Sequence, residues 1–492
     1  MCRRVYLETM GCQMNMLDSE LVMGQLRALG YASTDDYTQA DLVLLNTCSV
    51  REHAENKALS RLGELRKPKQ ARPDMIVGVI GCLAERDGPG VVRKMPHVDL
   101  LCGPGELNRI PALVAEVAET RRRAVATNGE HSRATAAADR SILFDSLEAL
   151  DRARTPGPDD NLLQAYVRVQ RGCDKFCTFC VVPFTRGPER SRPPQAIVDE
   201  VRMLADRGTK EITLLGQTVN SYVHRESDRP VRFAELLERV CDVGGIERVR
   251  FVTSYPGDFT DDIFEAMRDL PKACEYLHIP AQSGSDAVLR RMKRQYSVAQ
   301  YTELIDRARA IVPNIALAGD FIVGFCGETD EDFELTRRLV ERIEYKHLFV
   351  FKYSPRPGTA GDRHLADDVP DAEKRRRNVA LLALQERISL AANQRLLGMQ
   401  LEVFVEGYSK AAVKAQQAEQ DRGQEVSWRR SNQLTGRTRQ DRIVVFEGDA
   451  AVIGETVPVR IKAATALTLH GEVITPSVES TSALPLSVAP EV

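Results

Sequence analysis

Residues 171–187 read RGCDKFCTFCVVPFTRG. Cys173, Cys177 and Cys180 stand in a C-x3-C-x2-C spacing, just after the strand-like run Ala165–Gln170. Three thiolates on one short loop can hold three irons of a 4Fe–4S cube. Thiolates are the usual cluster ligands, normally four to a cluster. A missing fourth protein ligand leaves one iron open to a small molecule, the logic of an open catalytic metal site. A structural zinc site would want a fourth Cys or His close by, and none lies between 181 and 223.

Outward from this loop the chain alternates strand and helix patterns from about residue 162. Strand patterns recur at Glu211–Leu215, Val249–Thr253, Tyr276–Ile279, Ile315–Val323 and Leu348–Tyr353. Helical stretches lie between them, such as PPQAIVDEVRMLADRG with Ile197, Val201 and Leu204 on one face and Gly208 as stop. Six βα units fall short of the eight of a closed barrel, which leaves a side opening. Reactive groups on such folds sit at the carboxyl ends of the strands.

Upstream, Arg4–Glu8, Asp41–Asn46 and Met75–Ile80 are strand patterns, with helical stretches such as Ser19–Leu29 and Glu52–Leu65 between them. This predicts a parallel sheet with crossover helices. A second set of cysteines belongs to this rhythm, in ETMGCQMN, LLNTCSVRE and GVIGCLAE. Cys12, Cys48 and Cys82 each follow a strand pattern and precede a helical one, one βα unit apart. Parallel strands at that period put all three on one carboxyl rim, where α/β domains bind ligands. Gly11 and Gly81 let backbone approach closely there. Three thiolates on that rim could hold a second cluster with an open iron; three buried structural cysteines are the alternative.

The remaining segments are plainer. TRRRAVATNGEHSRATAAADR and PGPDDN bound a linker over 119–160. Helical patterns run through Ala372–Leu397, after which LEVFVEG, RIVVFEG and TVPVRIKAA alternate apolar and polar residues and predict a small β-barrel to about Thr475. Residues 476–492 have no periodic face and read as disordered.

The chain has 492 residues, is 43% hydrophobic and 28% charged, and carries a formal net charge of −3. That balance excludes a histone-like basic protein, but a local basic patch can still bind phosphate. No run of 18 apolar residues suggests a membrane span, and MCRRVYLETMGCQMN lacks the apolar stretch of a signal peptide. A cytoplasmic protein is expected. Eleven cysteines are then reduced thiols or ligands rather than a disulfide framework.

The tight trio resembles the signature of radical S-adenosylmethionine (SAM) enzymes. In that superfamily the open iron chelates SAM, and one electron from the cluster cleaves it to a carbon radical. The residue before the third cysteine lies by the SAM adenine; here it is Phe179. Both trios together resemble the radical SAM methylthiotransferase family over residues 3 to about 475. The resemblance implies an N-terminal α/β domain at 1–118 with an auxiliary 4Fe–4S cluster on Cys12, Cys48 and Cys82. It implies a partial (β/α)6 radical SAM barrel at 161–390 with a 4Fe–4S cluster on Cys173, Cys177 and Cys180. A small antiparallel RNA-binding barrel of TRAM type would fill 391–475. Cys2, Cys102, Cys241, Cys274 and Cys326 match neither motif and read as structural.

Within the family, GCQMNMLDSE, LLNTCSVREHAENKA, LLGQTVNSY, QSGSDAVLRRMKRQYS and GDFIVGFCGET are similar to the branch acting on tRNA. That implies methylthiolation at carbon 2 of N(6)-isopentenyladenosine next to the anticodon. Siblings act on a ribosomal protein, or on threonylcarbamoyl-adenosine in tRNA. The first typically has Pro and Lys where Gln13 and Met14 stand here. GFCGE carries Cys326 where the family usually has proline. A class without catalysis, an iron–sulfur RNA-binding sensor, has no need of a second open-iron site.

Polar residues at successive strand ends are candidate SAM contacts: Gln217, Asn220, Ser254, Gln282, Ser283 and Asp320. Arg186, Arg190 and Arg192 follow the cluster loop and, like RMKR at 291–294, are candidate phosphate contacts. Residues 401–475 hold ten basic and ten acidic side chains, yet WRRSNQLTGRTRQDR at 428–442 has five arginines against one aspartate. Trp428, Arg429, Arg430, Arg437 and Arg439 are candidate RNA contacts there. SKAAVKAQQAEQDRGQE at 409–425 reads as an insertion. The expected partners are a tRNA anticodon stem-loop and a one-electron donor such as a flavodoxin-type reductase system. Membrane is not expected, and the chain is expected to be a monomer.

Overall fold

The computed structural model describes residues 3–49, 52–127, 146–157, 162–226, 229–420 and 432–474, with backbone alone at 416–420. Its first strand, β1 (Arg3–Met10), leads into α1 (Gln13–Ala28) and a short β2 (Tyr31–Ser33). Then follow β3 (Leu42–Thr47), α2 (Glu52–Ala71), β4 (Ile76–Gly81), α3 (Cys82–Lys94), β5 (Leu100–Cys102), α4 (Ile110–Thr120) and β6 (Ala124–Ala126). These strands form one sheet in the order β2-β1-β3-β4-β5-β6. Every pairing is parallel.

The unbroken apolar run of β3 follows from burial on both faces, as parallel sheets require. Leu42 and Leu44 pack with Leu17, Leu21 and Leu113 of α1 and α4. Val43 and Leu45 pack with Leu62, Leu65 and Leu83 of α2 and α3. The strands β2, β5 and β6 escaped the sequence reading because three residues show no periodicity. The stretch expected to be linker supplies β6 and a helix over 146–152, here α5.

The central part runs β7 (Gln164–Arg168), β8 (Gln170–Arg171), α6 (Val182–Thr185), β9 (Arg190–Ser191), α7 (Pro194–Asp206) and β10 (Glu211–Leu215). A hairpin of β11 (Val223–Glu226) and β12 (Arg229–Arg232) precedes α8 (Phe233–Cys241), β13 (Arg248–Phe251), α9 (Asp261–Asp269) and β14 (Tyr276–His278). Next come α10 (Asp286–Arg291), α11 (Val298–Ile311), β15 (Ala316–Val323), α12 (Asp330–Ile343), β16 (His347–Lys352), α13 (Ala360–His364) and α14 (Asp371–Gln394). The six long-range strands keep sequence order as two parallel sheets, β13-β10-β7 and β14-β15-β16. A parallel bridge, Val249 to Ala273, joins them. This is the open six-stranded arc that the repeat count predicts.

The described residues up to Ser389 form one compact unit, and those from Leu390 onward a second. In the second, β17 (Gln400–Tyr408), β18 (Gln433–Arg437), β19 (Ile443–Glu447), β20 (Thr456–Ala464) and β21 (Thr468–Val473) close a barrel in the order β17-β18-β19-β21-β20. The β19–β21 pair is parallel and the other four are antiparallel, so the expected all-antiparallel barrel is corrected at that seam. The insertion after β17 begins as a helix, α15 (Lys410–Gln420).

A buried ion network ties α1 to the arc. Arg168 Nη2 lies 2.8 Å from Asp18 Oδ1, and Arg171 pairs with Asp151 of α5. Arg192 reaches Glu148 and Glu200, both at 2.7 Å. Arg154 spans Glu200 at 3.1 Å and Glu20 at 2.6 Å. Burial would raise the Asp151 carboxyl, but Arg168, Arg171 and Arg192 hold it down at about 2. Arg192→Met removes the buried cation that Glu148 and Glu200 share and should lower stability by about 3–5 kcal/mol. Urea denaturation checks this, and a midpoint shift near zero would show the network to be dispensable.

Candidate functional site

Cys12 is the N-cap residue of α1, Cys48 follows β3 directly, and Cys82 opens α3. The strands before them, β1, β3 and β4, are neighbours in the sheet. All three thiols therefore stand on one carboxyl rim. Gly81 holds φ +90°, and a Cβ there would meet Asn46 Oδ1 at 2.5 Å and the Thr47 carbonyl at 2.6 Å. Only glycine lets the chain turn from β4 into Cys82. Asn46 and Asn15 brace the rim, with Asn15 Nδ2 donating to Asn46 Oδ1 at 2.8 Å.

A hydrogen bond from Cys48 is the main cause holding the Cys12 thiol down, at about 5. Burial pushes Cys82 up. In the second trio burial pushes Cys173 up to about 11 and Cys180 up to about 12. In cluster-free protein Cys12 is thus a thiolate at neutral pH, while Cys173 and Cys180 keep their protons. Iodoacetamide at pH 6–7 should label Cys12 before those two. Peptide mass mapping checks the order, and faster labelling of Cys180 would contradict it.

Cys173, Cys177 and Cys180 sit on the loop between β8 and α6. Gly172 before them has φ +68°, and a Cβ would lie 2.0 Å from the Pro188 carbonyl oxygen. Cys173 N donates to the Gly187 carbonyl at 3.2 Å, pinning the loop's two ends together. Thr178 holds the middle, its N donating to the Met292 carbonyl and its Oγ1 to that of Arg291. The ten described cysteines are all free thiols. Among the described residues, no three His, Cys, Asp or Glu side chains close on a point as around one metal ion. A four-iron cube, whose ligated irons occupy separate corners, asks instead for thiols spread around it.

The other expected residues divide into three groups. Gln217 Oε1, Ser254 Oγ and Gln282 Oε1 are buried with no hydrogen-bond partner among the described residues. Such atoms are costly unless something satisfies them. Asn220, in contrast, spends its amide on Tyr255, donating to its carbonyl and accepting from its N–H, both at 2.8 Å. Ser283 accepts from Ser285 N, and Asp320 meets His278 at 3.2 Å. Phe179 lies edge-on to Phe325, with centroids 6.4 Å apart. Thr253 and Gln282 hold φ near +70° and Phe176 holds +48°. Strain of this kind gathers at functional sites.

The arginines require correction. Arg186 and Arg192 are buried in ion pairs and are not surface contacts for phosphate. In RMKR, Arg291 donates to the carbonyls of Cys326 and Gly327, and Arg294 Nη1 donates to Cys177 Sγ at 3.4 Å. Arg190 is exposed on β9. Arg437 pairs with Glu406 and Asp441, and Arg439 lies in the turn after β18. Trp428, Arg429 and Arg430 lie outside the described residues. Sequence reasoning missed Asp18 and Asp151, whose signal was a carboxylate among the apolar positions of a helix.

Three family models match: the radical SAM superfamily at 167–340, the uncharacterized protein family UPF0004 at 4–103 and the TRAM domain at 424–474. A solved structure of similar fold is TsrM from Kitasatospora setae, a radical S-adenosylmethionine methyltransferase. Its TM-score is 0.52 at 15% identity, over 73% of this chain and 75% of that one. The chain is 48% identical to the tRNA-2-methylthio-N(6)-dimethylallyladenosine synthase of Rhodopirellula baltica, over 98% of this chain and 97% of the relative. The Chromobacterium violaceum protein of the same name is 42% identical, over 96% and 99%. The two trios thus sit in a chain that matches these relatives from end to end, and it belongs to the family of tRNA-2-methylthio-N(6)-dimethylallyladenosine synthases.

Proposed function

We propose that this chain transfers a methylthio group to carbon 2 of N(6)-isopentenyladenosine beside the anticodon of tRNA, using two 4Fe–4S clusters and SAM. The observation that carries the reading is the pair of cysteine trios on two carboxyl rims of one compact unit, in a chain so like enzymes of that name. The carbon 2 C–H bond is beyond any side-chain base, and bound clusters with SAM supply one-electron chemistry in place of acid–base chemistry.

The residues fit those groups. Cys173, Cys177 and Cys180 ligate three irons of the barrel cluster and leave one for SAM. Cys12, Cys48 and Cys82 would hold the auxiliary cluster in the same way, and that cluster would supply the site of the sulfur chemistry. Gln217, Ser254 and Gln282 offer SAM their unsatisfied polar atoms, Asp320 adds a carboxylate, and Phe179 lies by the adenine. Asn220 and Ser283 hold the loops that carry those residues. Arg190, Arg437, Arg439 and the segment Trp428–Arg430 contact RNA phosphate and bases. Residues 1–118, 161–390 and 391–475 act as auxiliary-cluster, radical SAM and RNA-binding domains. A flavodoxin-type system supplies electrons to a cytoplasmic monomer. No described helix is long and apolar enough to cross a membrane.

Anaerobic reconstitution, an iron count and incubation with SAM, reductant and prenylated tRNA test the reading. About eight irons, four per cluster, together with 2-methylthio nucleoside by mass spectrometry, are expected. Eight irons and SAM cleavage with unmodified tRNA would move the substrate to a ribosomal protein or another adenosine. About four irons without SAM cleavage would overturn the two-cluster reading.

A further inference from the structure

The segment at 353–361, YSPRPGTAG, leaves β16 and enters α13, and Arg356 stands in it between two prolines. Proline fixes its own φ and keeps the residue before it extended, so the segment is stiff by composition. Tyr353 N donates to the Val323 carbonyl at 2.9 Å, which ties the start to β15. Thr359 ties the bend, its N and its Oγ1 both donating to the Arg356 carbonyl, at 3.1 and 2.8 Å.

This strap touches the surroundings of both cysteine trios. At one end Gly361 N donates to the carbonyl of Thr178 at 2.7 Å, and Thr178 lies between Cys177 and Cys180. A Cβ on Gly361 would stand 3.0 Å from that same carbonyl oxygen, so the approach is close. At the other end the Arg356 side chain pairs with Glu55 in the first turn of α2, Nη1 to Oε2 at 3.5 Å. Glu55 also accepts from both terminal nitrogens of Arg86 of α3, at 3.0 and 2.6 Å. The helix α2 is the one that follows Cys48, and α3 opens with Cys82.

The side chains of Arg356, Glu55 and Arg86 are 11%, 17% and 8% exposed. Charges this shielded from water are screened far less than a surface pair, and a two-pronged arginine–carboxylate pair fixes orientation as well as distance. Glu55 thus pins α2 to α3, and the strap holds that pair to the loop of the tight trio.

The reading above assigns radical chemistry to the tight trio and sulfur chemistry to the rim trio, both on one adenine carbon. Their separation then matters, because reacting groups must be held close to contact. We propose that Arg356, acting through Glu55, is a positioning residue that sets the auxiliary rim against the barrel rim, so that SAM cleavage is converted into methylthio product. This rests on the two-cluster reading.

The test uses full-length, reconstituted wild type, Arg356→Gln, Arg356→Lys and Glu55→Gln, each with an iron count. Two quantities are read: 2-methylthio nucleoside formed per 5′-deoxyadenosine, and amide hydrogen exchange in the first turn of α2. Arg356→Gln should keep its iron and cleave SAM, while product per cleavage falls about tenfold or more. Exchange in the first turn of α2 should quicken, since the tie that resists local opening is gone. Arg356→Lys should recover part of both, and Glu55→Gln should resemble Arg356→Gln. A wild-type ratio in Arg356→Gln would overturn the proposal, including the case where cleavage and product fall in step as general damage would make them. A lowered ratio with wild-type exchange at α2 would overturn it too. If Arg356→Gln fails to load iron, Glu55→Gln decides by the same two readings. Wild type with only one cluster's iron would instead remove the two-cluster reading, an outcome the iron count separates from the others.

Discussion

Cys177→Ala is expected to abolish reductive cleavage of SAM, with 5′-deoxyadenosine falling to background and iron falling from about eight to about four. Cys177 is the middle cysteine of the tight trio. It accepts a hydrogen bond from Arg294, which is itself held by Tyr296 Oη at 2.9 Å and the Pro280 carbonyl at 3.1 Å. Removing the sulfur leaves two thiols for the cube and takes from that guanidinium one of its acceptors. No described cysteine outside the trio stands on this loop to replace it. Chromatography of the SAM products and an iron assay decide the matter. Cleavage at the wild-type rate would show that the tight trio does not hold the reactive cluster.

The second large effect is at the other rim. Cys48→Ala should eliminate the methylthio product while SAM cleavage continues. Cys48 is buried directly after β3, and its hydrogen bond is the main cause that lowers the Cys12 thiol. On the two-cluster reading the variant would cost the auxiliary cluster one ligand and weaken the lowering of the Cys12 thiol. The barrel loop is held by Gly187, Met292 and Arg291, none of which depends on Cys48. Nucleoside mass spectrometry reads the product, and 5′-deoxyadenosine reads the cleavage. If both vanished with the barrel cluster intact, the two trios would not have separate roles.

Both predictions rest on features legible in the chain itself. A cysteine that follows a strand by one or two residues must lie on that strand's carboxyl end. Three of them at a one-βα-unit period must share a rim if the strands are parallel. The order of the arc strands was readable for the same reason, since local periodicity marks each strand and right-handed crossovers leave few ways to connect them. Gly81 and Gly172, each one residue before a cysteine, hold the positive φ that such turns require.

Other features depend on contacts that no local pattern records. The short strands β2, β5 and β6 exist because a neighbour pairs with them. Asn220 looked like a ligand residue because strand ends are polar, but a partner 35 residues away takes its amide. Arg186 and Arg192 looked like surface arginines because charge in a loop is usually solvated. Asp18, 168 residues from Arg186 in sequence, draws that side chain inward. The sequence by itself therefore determined the strand rhythm, the two trios and their rims, because spacing along a βα unit sets which end of the sheet a residue occupies. Only the tertiary structure decided which charges turn inward, because a buried guanidinium is stable only where a distant segment brings it a carboxylate.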